Sequence, residues 1–570
     1  MRASHWMRTT AVATLAVLGL SAAALAEKPL QDMTPEERRV VFQRELGKAY
    51  LDTFEPALRR FDRLPRLVAT VAVARLDSEE ATTALVDSLR FASGLDDFRE
   101  ARRGGPDPVV AWLAWEALRG RLDSLSDDQL ATWRKAGIVS AANGGFPGEL
   151  SATLFEAAAS GPASDYGDAV GGAAATVVAR TPWNDEKPAA ELVALRDAVA
   201  AWRDREVVEA LLDRQLLRLN TAPQKVDYVL SALPGAPAAI EGAPAARDVM
   251  RRWRPWLRSD VTPASADDLS TYVASDLLLP KPETPDLEDE SWRDAFEAGD
   301  LEVRGVDLAW VIDATGSMAE ENKAVARATG RVMSLLSVLS GESRGAAVYV
   351  RHEVIDELQQ NCCRHAEGHP RGYTARPFPL TSDIARLSRA MFFEPVPKPN
   401  REQWANMHPG TAVHGGMVAA QQGLRWNTEG GALHAIVLVA DAEMTPKTED
   451  ATAKLAYDFA RRGVRILALH TQKPDEHWKR AIEEAAGGSV IRFKAGDINR
   501  SGLPTEPLKA WTIEAAEEQF GNINPFEDVA LRIIDSAVTE GYHPRIRQVI
   551  VATGPFMRAA FPDMLPNEKR

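Results

Sequence analysis

The segment Asp313-Ala314-Thr315-Gly316-Ser317 carries three side-chain oxygen groups at a spacing that suits metal binding. They follow a nearly continuous apolar segment from Val306 to Ile312, which predicts a buried strand. The Asp313 carboxylate and the two hydroxyls lie at two-residue intervals, and Gly316 lets the loop turn back on itself. Oxygen ligands crowded at the end of a strand suit a hard divalent ion such as Mg²⁺. The sequence therefore predicts a metal site here.

Sequence patterns of the common enzyme classes are missing. There is no G-x-S-x-G elbow, no H-E-x-x-H helix, no phosphate loop ending in Gly-Lys-Ser/Thr, and no G-x-G-x-x-G after a strand. Ser317 as a nucleophile would need a nearby base, and the motif places no His beside it. We therefore expect a non-enzymatic protein.

A second group of metal-binding residue types lies in one short segment. Cys362 and Cys363, the only two Cys in the chain, stand close to His365 and His369. Zn²⁺ uses such groups, but adjacent thiols break the usual spacing of paired Cys ligands. A disulfide between neighbours is strained, because Cα atoms ~3.8 Å apart fall below the normal ~4.4 Å limit. A loop insertion at the sheet edge is the favoured interpretation, and a metal or redox enzyme at this loop is the less favoured alternative.

Strands and helices alternate through the C-terminal half. Apolar runs predict strands at 306–312, 346–350, 435–440, 464–469 and 490–493, and Pro377 and Pro379 predict an edge strand at 373–380. Amphipathic patterns predict helices at 320–339, 411–424, 451–461, 476–486 and 526–538. Such alternation predicts an α/β fold with a doubly wound, mainly parallel sheet covered by helices on both faces.

The stretch VDLAWVIDATGSM resembles the first strand and D-x-S/T-x-S loop of the von Willebrand factor type A family. That family has a doubly wound sheet with a metal-ion-dependent adhesion site, completed by a Thr from a second loop and an Asp from a third. The residues that match these positions are Thr411, which opens a helix, and Asp441, which ends the strand HAIVLVAD. The resemblance covers about residues 302–540. It implies a site for Mg²⁺, Mn²⁺ or Ca²⁺ formed by Asp313, Thr315, Ser317, Thr411 and Asp441.

The resemblance also implies a function. An ion held by few carboxylates and several hydroxyls stays electrophilic, and an acidic side chain of a protein partner can fill its open position. We therefore expect a metal-dependent adhesion or assembly protein. The alternative is a structural scaffold in which the helical half does the binding and the metal site is not functional.

Residues 34–257 read as one amphipathic helix after another. Capping-box patterns start at Thr34 and Ser126. The predicted helices pair as 66–75 with 79–93, 108–119 with 126–136, and 189–202 with 205–219, at a spacing of roughly 40 residues. This all-α region resembles HEAT-type repeats, and a non-repetitive bundle is the alternative.

The remaining organisation follows from composition and charge. Residues 1–26 have the basic start, apolar stretch and small-residue end of a signal peptide, which predicts export to the periplasm or outside the cell. An N-terminal membrane anchor is the less favoured alternative, because the apolar run is shorter than the ~20 residues that span a bilayer. We expect a helical domain at 27–258, a stiff, solvated Pro- and acid-rich linker at 259–304, the sheet domain at 305–540 and a C-terminal extension at 541–570. Nothing beyond residue 26 reaches a bilayer-spanning length, which argues against an integral membrane protein. A net charge of −14 argues against nucleic acid as a partner.

Overall fold

The protein has a helical N-terminal region followed by a C-terminal region built on a mixed sheet. The computed structural model describes residues 33–58, 60, 62–95, 106–142, 146–184, 186–237, 244–259, 262–274, 276–283, 303–314, 316–350, 375–391, 413–428, 431–444, 448–472, 476–499, 502, 504, 506–521, 523–538 and 540–560. Within these ranges no helix is long and apolar enough to cross a membrane.

The helices of the N-terminal region begin where the sequence offers caps. At the first, Thr34 and Glu37 exchange backbone-to-side-chain hydrogen bonds of 2.6 and 3.2 Å, and Ser126 and Gln129 do the same at 3.0 and 3.3 Å. Both predicted capping boxes are therefore confirmed. The helices are α1 (Pro35–Leu58), α2 (Arg63–Arg75), α3 (Glu79–Ser93), α4 (Pro108–Arg119), α5 (Asp127–Ala142), α6 (Gly148–Ala158), α7 (Asp168–Arg180), α8 (Ala190–Trp202), α9 (Arg205–Leu211), α10 (Ala222–Leu230) and α11 (Ala246–Leu257).

One predicted helix is shorter than its apolar pattern. The expected helix 205–219 ends at Leu211, and a separate 3₁₀ turn covers Leu216–Arg218. The carboxylate of Asp213 accepts hydrogen bonds from the backbone N–H groups of Gln215 and Leu216 at 2.7 and 3.1 Å. A side chain that binds these backbone donors offers the chain an alternative to the helix, and the helix stops.

The C-terminal region alternates strands and helices. Its elements are β1 (Gly305–Asp313), α12 (Ala319–Ser340), β2 (Ser343–Val350), β3 (Ala375–Thr381), α13 (Ile384–Met391), α14 (Val413–Gly423), β4 (Ala432–Ala440), α15 (Glu449–Ala460), β5 (Val464–His470), the helical segment Glu476–Trp478 continued by the π-helical turn Lys479–Glu484, β6 (Ser489–Arg492), α16 (Ile513–Phe520), α17 (Pro525–Asp535) and α18 (His543–Ala560).

The described strands form one sheet in the order β3-β2-β1-β4-β5-β6. All neighbouring pairs are parallel except β2 and β3, which are antiparallel. Pro377 and Pro379 lie in β3, and its position at the sheet edge confirms the prediction from these two residues.

Helices cover both faces of the sheet. Alternate residues of β1 point to opposite sides, so that Trp310 and Ile312 pack with α12, α13 and α17, whereas Ala309 and Val311 pack with α14 and α15. The predicted doubly wound, mainly parallel α/β arrangement is confirmed.

The helical and sheet regions share one hydrophobic core. Helix α18 lies in the predicted C-terminal extension and packs on α2, α4 and α6 of the helical region. Its Phe556 ring is 5.8 Å from Trp112 and 6.1 Å from Phe146. The C-terminal helix α18 thus forms part of the hydrophobic core of the N-terminal helical region.

The described part of the predicted linker is largely exposed, as its composition predicts, but residues 278–283 also contact the folded regions. The backbone N–H of Leu278 donates to the Glu116 carboxylate at 2.7 Å, and the Leu278 carbonyl accepts from Leu508 at 3.1 Å. Farther along, Arg75 contacts Glu283 at 2.9 Å. Composition predicts solvation because Pro and acidic residues dominate, but at Leu278 and Glu283 the side chains of Glu116 and Arg75 supply partners from the helical region.

Candidate metal centre

The candidate site lies where the strand order of the sheet reverses. Strand β1 pairs with β2 on one side and with β4 on the other, and the chain crosses to the second side between β3 and β4. In open sheets of this kind ligands bind beyond the carboxyl ends of the strands, at this reversal. Asp313 is the last residue of β1, and Asp441 directly follows the last residue of β4.

The register brings these two residues to the same edge. Ile312 in β1 pairs with Val439 in β4. Asp313 is one residue beyond this pair on its strand, and Asp441 is two residues beyond it on the other. Neighbouring strands lie about 4.8 Å apart. Two carboxylates that are far apart in the sequence are therefore carried by adjacent strand ends.

Asp313 is held in place through its backbone. Asp313 is only 1% exposed. The side-chain amide nitrogen Nδ2 of Asn322 donates a hydrogen bond to the backbone carbonyl oxygen of Asp313 at 2.8 Å. The next residue, Ala314, extends the ladder by donating its N–H to the Val350 carbonyl at 2.8 Å. The strand end is therefore rigidly joined to both β2 and α12.

Ser317 lies on a short 3₁₀ turn, Gly316–Met318, that leads directly into α12. Ser317 is exposed, whereas the following Met318 is fully buried and anchors the turn to the core. This places a hydroxyl at the surface just beyond Asp313. Thr315, the other predicted hydroxyl ligand, lies outside the described residues.

The loop that carries Asp441 is anchored from β5. His470 accepts a hydrogen bond from the Gln472 N–H at Nδ1, 3.2 Å, which leaves Nε2–H to donate to the Ala442 carbonyl at 3.2 Å. Trp478 Nε1 donates to the same carbonyl at 3.1 Å, and its ring is 5.2 Å from the His470 ring. Asp441 itself is half-buried. Two buried rings therefore fix the backbone just past its carboxylate.

Helix α14 approaches the sheet closely beside the site. A Cβ atom at Gly416 would overlap the Cγ1 atoms of Val311 and Val350, so that only glycine permits this approach. Val413, the first residue of α14, is buried against the same face. Thr411, the predicted ligand two residues before the helix, lies outside the described residues, as do the four residues of the Cys/His loop, Cys362, Cys363, His365 and His369.

The donor set suits a hard cation. Carboxylate and hydroxyl oxygens at strand ends are the groups that Mg²⁺ prefers. Nowhere in the described ranges do three or more His, Cys, Asp or Glu residues group as metal ligands. The side-chain oxygen Oδ1 of Asn322 is buried and has no hydrogen-bond partner among the described residues, which fits a hydroxyl or an ion-bound water beside Asp313.

Sequence reasoning missed the residues that position the site. Asn322 lies on α12 at a position that also reads as an ordinary polar residue of an amphipathic helix, so the sequence carries no signal for its role. His470 is different, because a His that ends an otherwise apolar strand, VRILALH, is an unusual polar residue and was a usable signal.

No protein family model matches the chain. No curated protein matches it. Among solved structures, proximal thread matrix protein 1 from the mussel byssus is similar over 35% of this chain and 47% of that chain, at 16% identity and a TM-score of 0.23. A second crystal form gives 14% identity and a TM-score of 0.22, with 35% of this chain and 46% of that chain covered.

The chain thus spans about half the length of the mussel protein that it matches. The N-terminal domain of TFIIH p34 is similar at 13% identity and a TM-score of 0.23, over 34% of this chain and 93% of that chain. Similarity at this level carries no inference about the present chain.

Proposed function

We propose that the protein binds a divalent cation through Asp313, Thr315, Ser317, Thr411 and Asp441, and that the ion joins it to an acidic side chain of a protein partner. The observation that carries the proposal is the position of Asp313 and Asp441 at adjacent strand ends, where the strand order reverses. The resemblance of residues 302–540 to the von Willebrand factor type A family supplies the other three ligands. Mg²⁺ is the ion that this oxygen-rich set suits best, with Mn²⁺ or Ca²⁺ as substitutes.

The protein's own residues position the backbone of such a site. Asn322 orients the end of β1, and His470 and Trp478 fix the loop after Asp441, so that the backbone beside both carboxylates is positioned before an ion arrives. When bound, the ion would supply an electrophilic coordination position that a carboxylate can fill. Ser317 is exposed, which supports the approach of a partner at this residue.

Export and adhesion belong to the same proposal. The first 26 residues read as a signal peptide but lie outside the described residues. In an exported protein, the helical region would present the sheet region to its partner as a rigid scaffold, because the two share a core. No enzymatic activity is part of the proposal.

A scaffold without a functional ion is the second candidate. It is favoured by the same shared core, since a helical stack joined this firmly to the sheet is itself a large binding surface. The two candidates differ in whether carboxylate binding needs the ion.

Water-proton relaxation of the Mn²⁺-loaded protein tests the proposed function. A carboxylate that takes the ion's open position displaces ion-bound water, so titration with a short glutamate-containing peptide should lower the relaxation rate. The same peptide with glutamine should leave it unchanged. Loss of the effect in Asp441→Asn, but not in the surface control Glu517→Gln, would support the proposal. Mn²⁺ binding without any response to the glutamate peptide would favour the scaffold.

A further inference from the structure

A groove lined by arginines lies on the helical region, apart from the candidate metal centre. It has a volume of about 330 Å³ and runs between α11 and the 3₁₀ turn Leu216–Arg218. Leu217, Ala246 and Met250 give it an apolar lining. Its charged lining consists of five arginines, Arg214, Arg218, Arg247, Arg251 and Arg254.

Helix α11 is amphipathic, and three of these arginines lie on its exposed face. Val249, Trp253 and Trp256 are buried in the core, whereas Arg247, Arg251 and Arg254 are exposed at helical spacing. The first and last of these positions are seven residues apart, or about 10 Å along the helix axis.

The remaining arginine of α11, Arg252, shows the contrast. Arg252 turns inward, where its Nη1 contacts the Asp227 carboxylate at 2.6 Å and its Nη2 donates to the Pro237 carbonyl at 2.6 Å. The arginines of the groove make no comparable buried contact, and their charged ends lie at the surface.

The charges of the groove are only partly balanced by its surroundings. Asp248 contacts Arg251 at 3.5 Å and Arg247 at 3.7 Å. The nearby carboxylate of Asp213 is bound to backbone N–H groups. Within the part of the chain that the structure describes, Arg214, Arg218 and Arg254 have no ion-pair partner. A local concentration of positive charge on a chain of net charge −14 favours a negatively charged ligand at this place.

We propose that this groove binds an acidic peptide segment of a protein partner. Guanidinium groups bind carboxylates in a planar, two-bond geometry, and several of them along about 10 Å match carboxylates that recur along a peptide. The apolar lining formed by Leu217 and Met250 fits an apolar side chain between two acidic ones. A lone phosphate would use only part of this length. Nucleic acid is disfavoured because the patch is local and the rest of the chain is acidic.

Fluorescence anisotropy with a labelled peptide tests this inference on the full chain. The probe is a short peptide in which glutamates alternate with leucines, and its control has glutamine in place of glutamate. We expect the glutamate peptide to bind and the glutamine peptide not to bind. The variant Arg218→Ser/Arg254→Ser should bind at least about fivefold more weakly, because it removes two guanidinium contacts.

Matched controls separate this groove from other positive groups and from the metal centre. Arg205→Ser/Arg386→Ser removes the same charge from exposed positions outside the groove and should bind like the parent. Binding in the presence of EDTA should persist, whereas capture at the candidate metal centre would be lost. Equal binding by both peptides, equal binding by both double variants, or loss in EDTA would each overturn the inference. Displacement of the peptide by inorganic phosphate at equal concentration would identify a phosphate site instead.

Discussion

Arg63 of α2 donates a hydrogen bond from Nη1 to the carbonyl oxygen of Ser337 in α12, at 2.8 Å. The same guanidinium donates from Nε to the Asp107 carboxylate at 2.7 Å. Asp107 in turn caps α4 by accepting from the backbone N–H groups of Val109 and Val110 at 3.1 and 3.3 Å. One side chain therefore joins the helical region to the end of the helix that begins beside the candidate metal centre.

Replacing Arg63 with Met should destabilise the whole protein. The change keeps an apolar stem but leaves the Asp107 carboxylate buried with Arg66 as its nearest cation, at 3.8 Å. We expect a loss of about 3 kcal/mol in the free energy of unfolding, as for other broken buried ion pairs. Chemical denaturation followed by circular dichroism measures it. Arg205→Met, at an exposed pair, should change stability by less than about 0.5 kcal/mol, and an equal loss in both variants would contradict the role of Arg63.

The contribution of Asp107 should disappear in acid. Burial by itself raises the pKa of this carboxyl, but the charges of Arg63 and Arg66 and the hydrogen bonds from Arg63 and Val110 outweigh burial and leave the pKa below its usual value. Because the folded pKa lies below the unfolded value of about 3.9, the stabilisation is complete above that value and is lost as the pH falls through the folded pKa.

The matching experiment compares the parent with Asp107→Asn from pH 7 to pH 3. The difference in unfolding free energy should be about 3 kcal/mol and constant above pH ~5, and should shrink below pH ~4. A difference that stays constant down to pH 3, or that grows in acid, would rule out the ion pair as its source.

Gly416→Ala should disturb α14 and the candidate metal centre together. The added Cβ would overlap Val311 and Val350, so that α14 must move away from the sheet. We expect a loss of about 2 kcal/mol in unfolding free energy and weaker Mn²⁺ binding, because Thr411 precedes this helix. Gly172→Ala is the control, since its Cβ would meet nothing within 4 Å on helix α7. It should stabilise the protein by about 0.5–1 kcal/mol and leave Mn²⁺ binding unchanged. Unchanged stability in Gly416→Ala would contradict the close approach.

The sequence was sufficient to predict the sheet region because its signals are local. Strand β1 is almost entirely apolar, and the prolines of β3 exclude a central position in the sheet. In the helical region, Thr34 and Ser126 begin capping boxes that mark the starts of two helices. Asp313 and Asp441 were also predictable as neighbours, because a parallel sheet brings successive strand ends to one edge.

What could not be predicted depends on long-range packing. The contact of Phe556 with Trp112 joins residues more than 400 positions apart, and no local pattern marks it. Glu116 holds the backbone of Leu278 inside a segment whose composition predicts solvation. In the candidate site, Asn322 binds the backbone of Asp313, and that contact depends on how α12 folds back on the strand.

Asn322→Ala should weaken metal binding more than its effect on stability explains. The variant loses the hydrogen bond to the Asp313 carbonyl, which we expect to lower Mn²⁺ affinity about tenfold and stability by about 1 kcal/mol. Ser340→Ala, at the far end of α12, also removes a buried donor, which contacts the carbonyls of Leu336 and Glu342 at 2.7 and 2.8 Å. It should cost similar stability without changing the affinity. Equal affinities in the two variants would show that Asn322 does not position the site.

Calorimetric titration of the full chain with Mg²⁺ and Mn²⁺ tests the central claim most directly. The decisive variant is Asp313→Asn/Asp441→Asn, and Glu517→Gln/Glu518→Gln removes the same charge from exposed positions on α16. Circular dichroism should show all three proteins folded. We predict one ion for each chain in the parent and the control, and at least about a hundredfold weaker binding in the decisive variant. A folded parent that binds neither ion, or a decisive variant that binds as well as the control, would contradict the proposed metal centre.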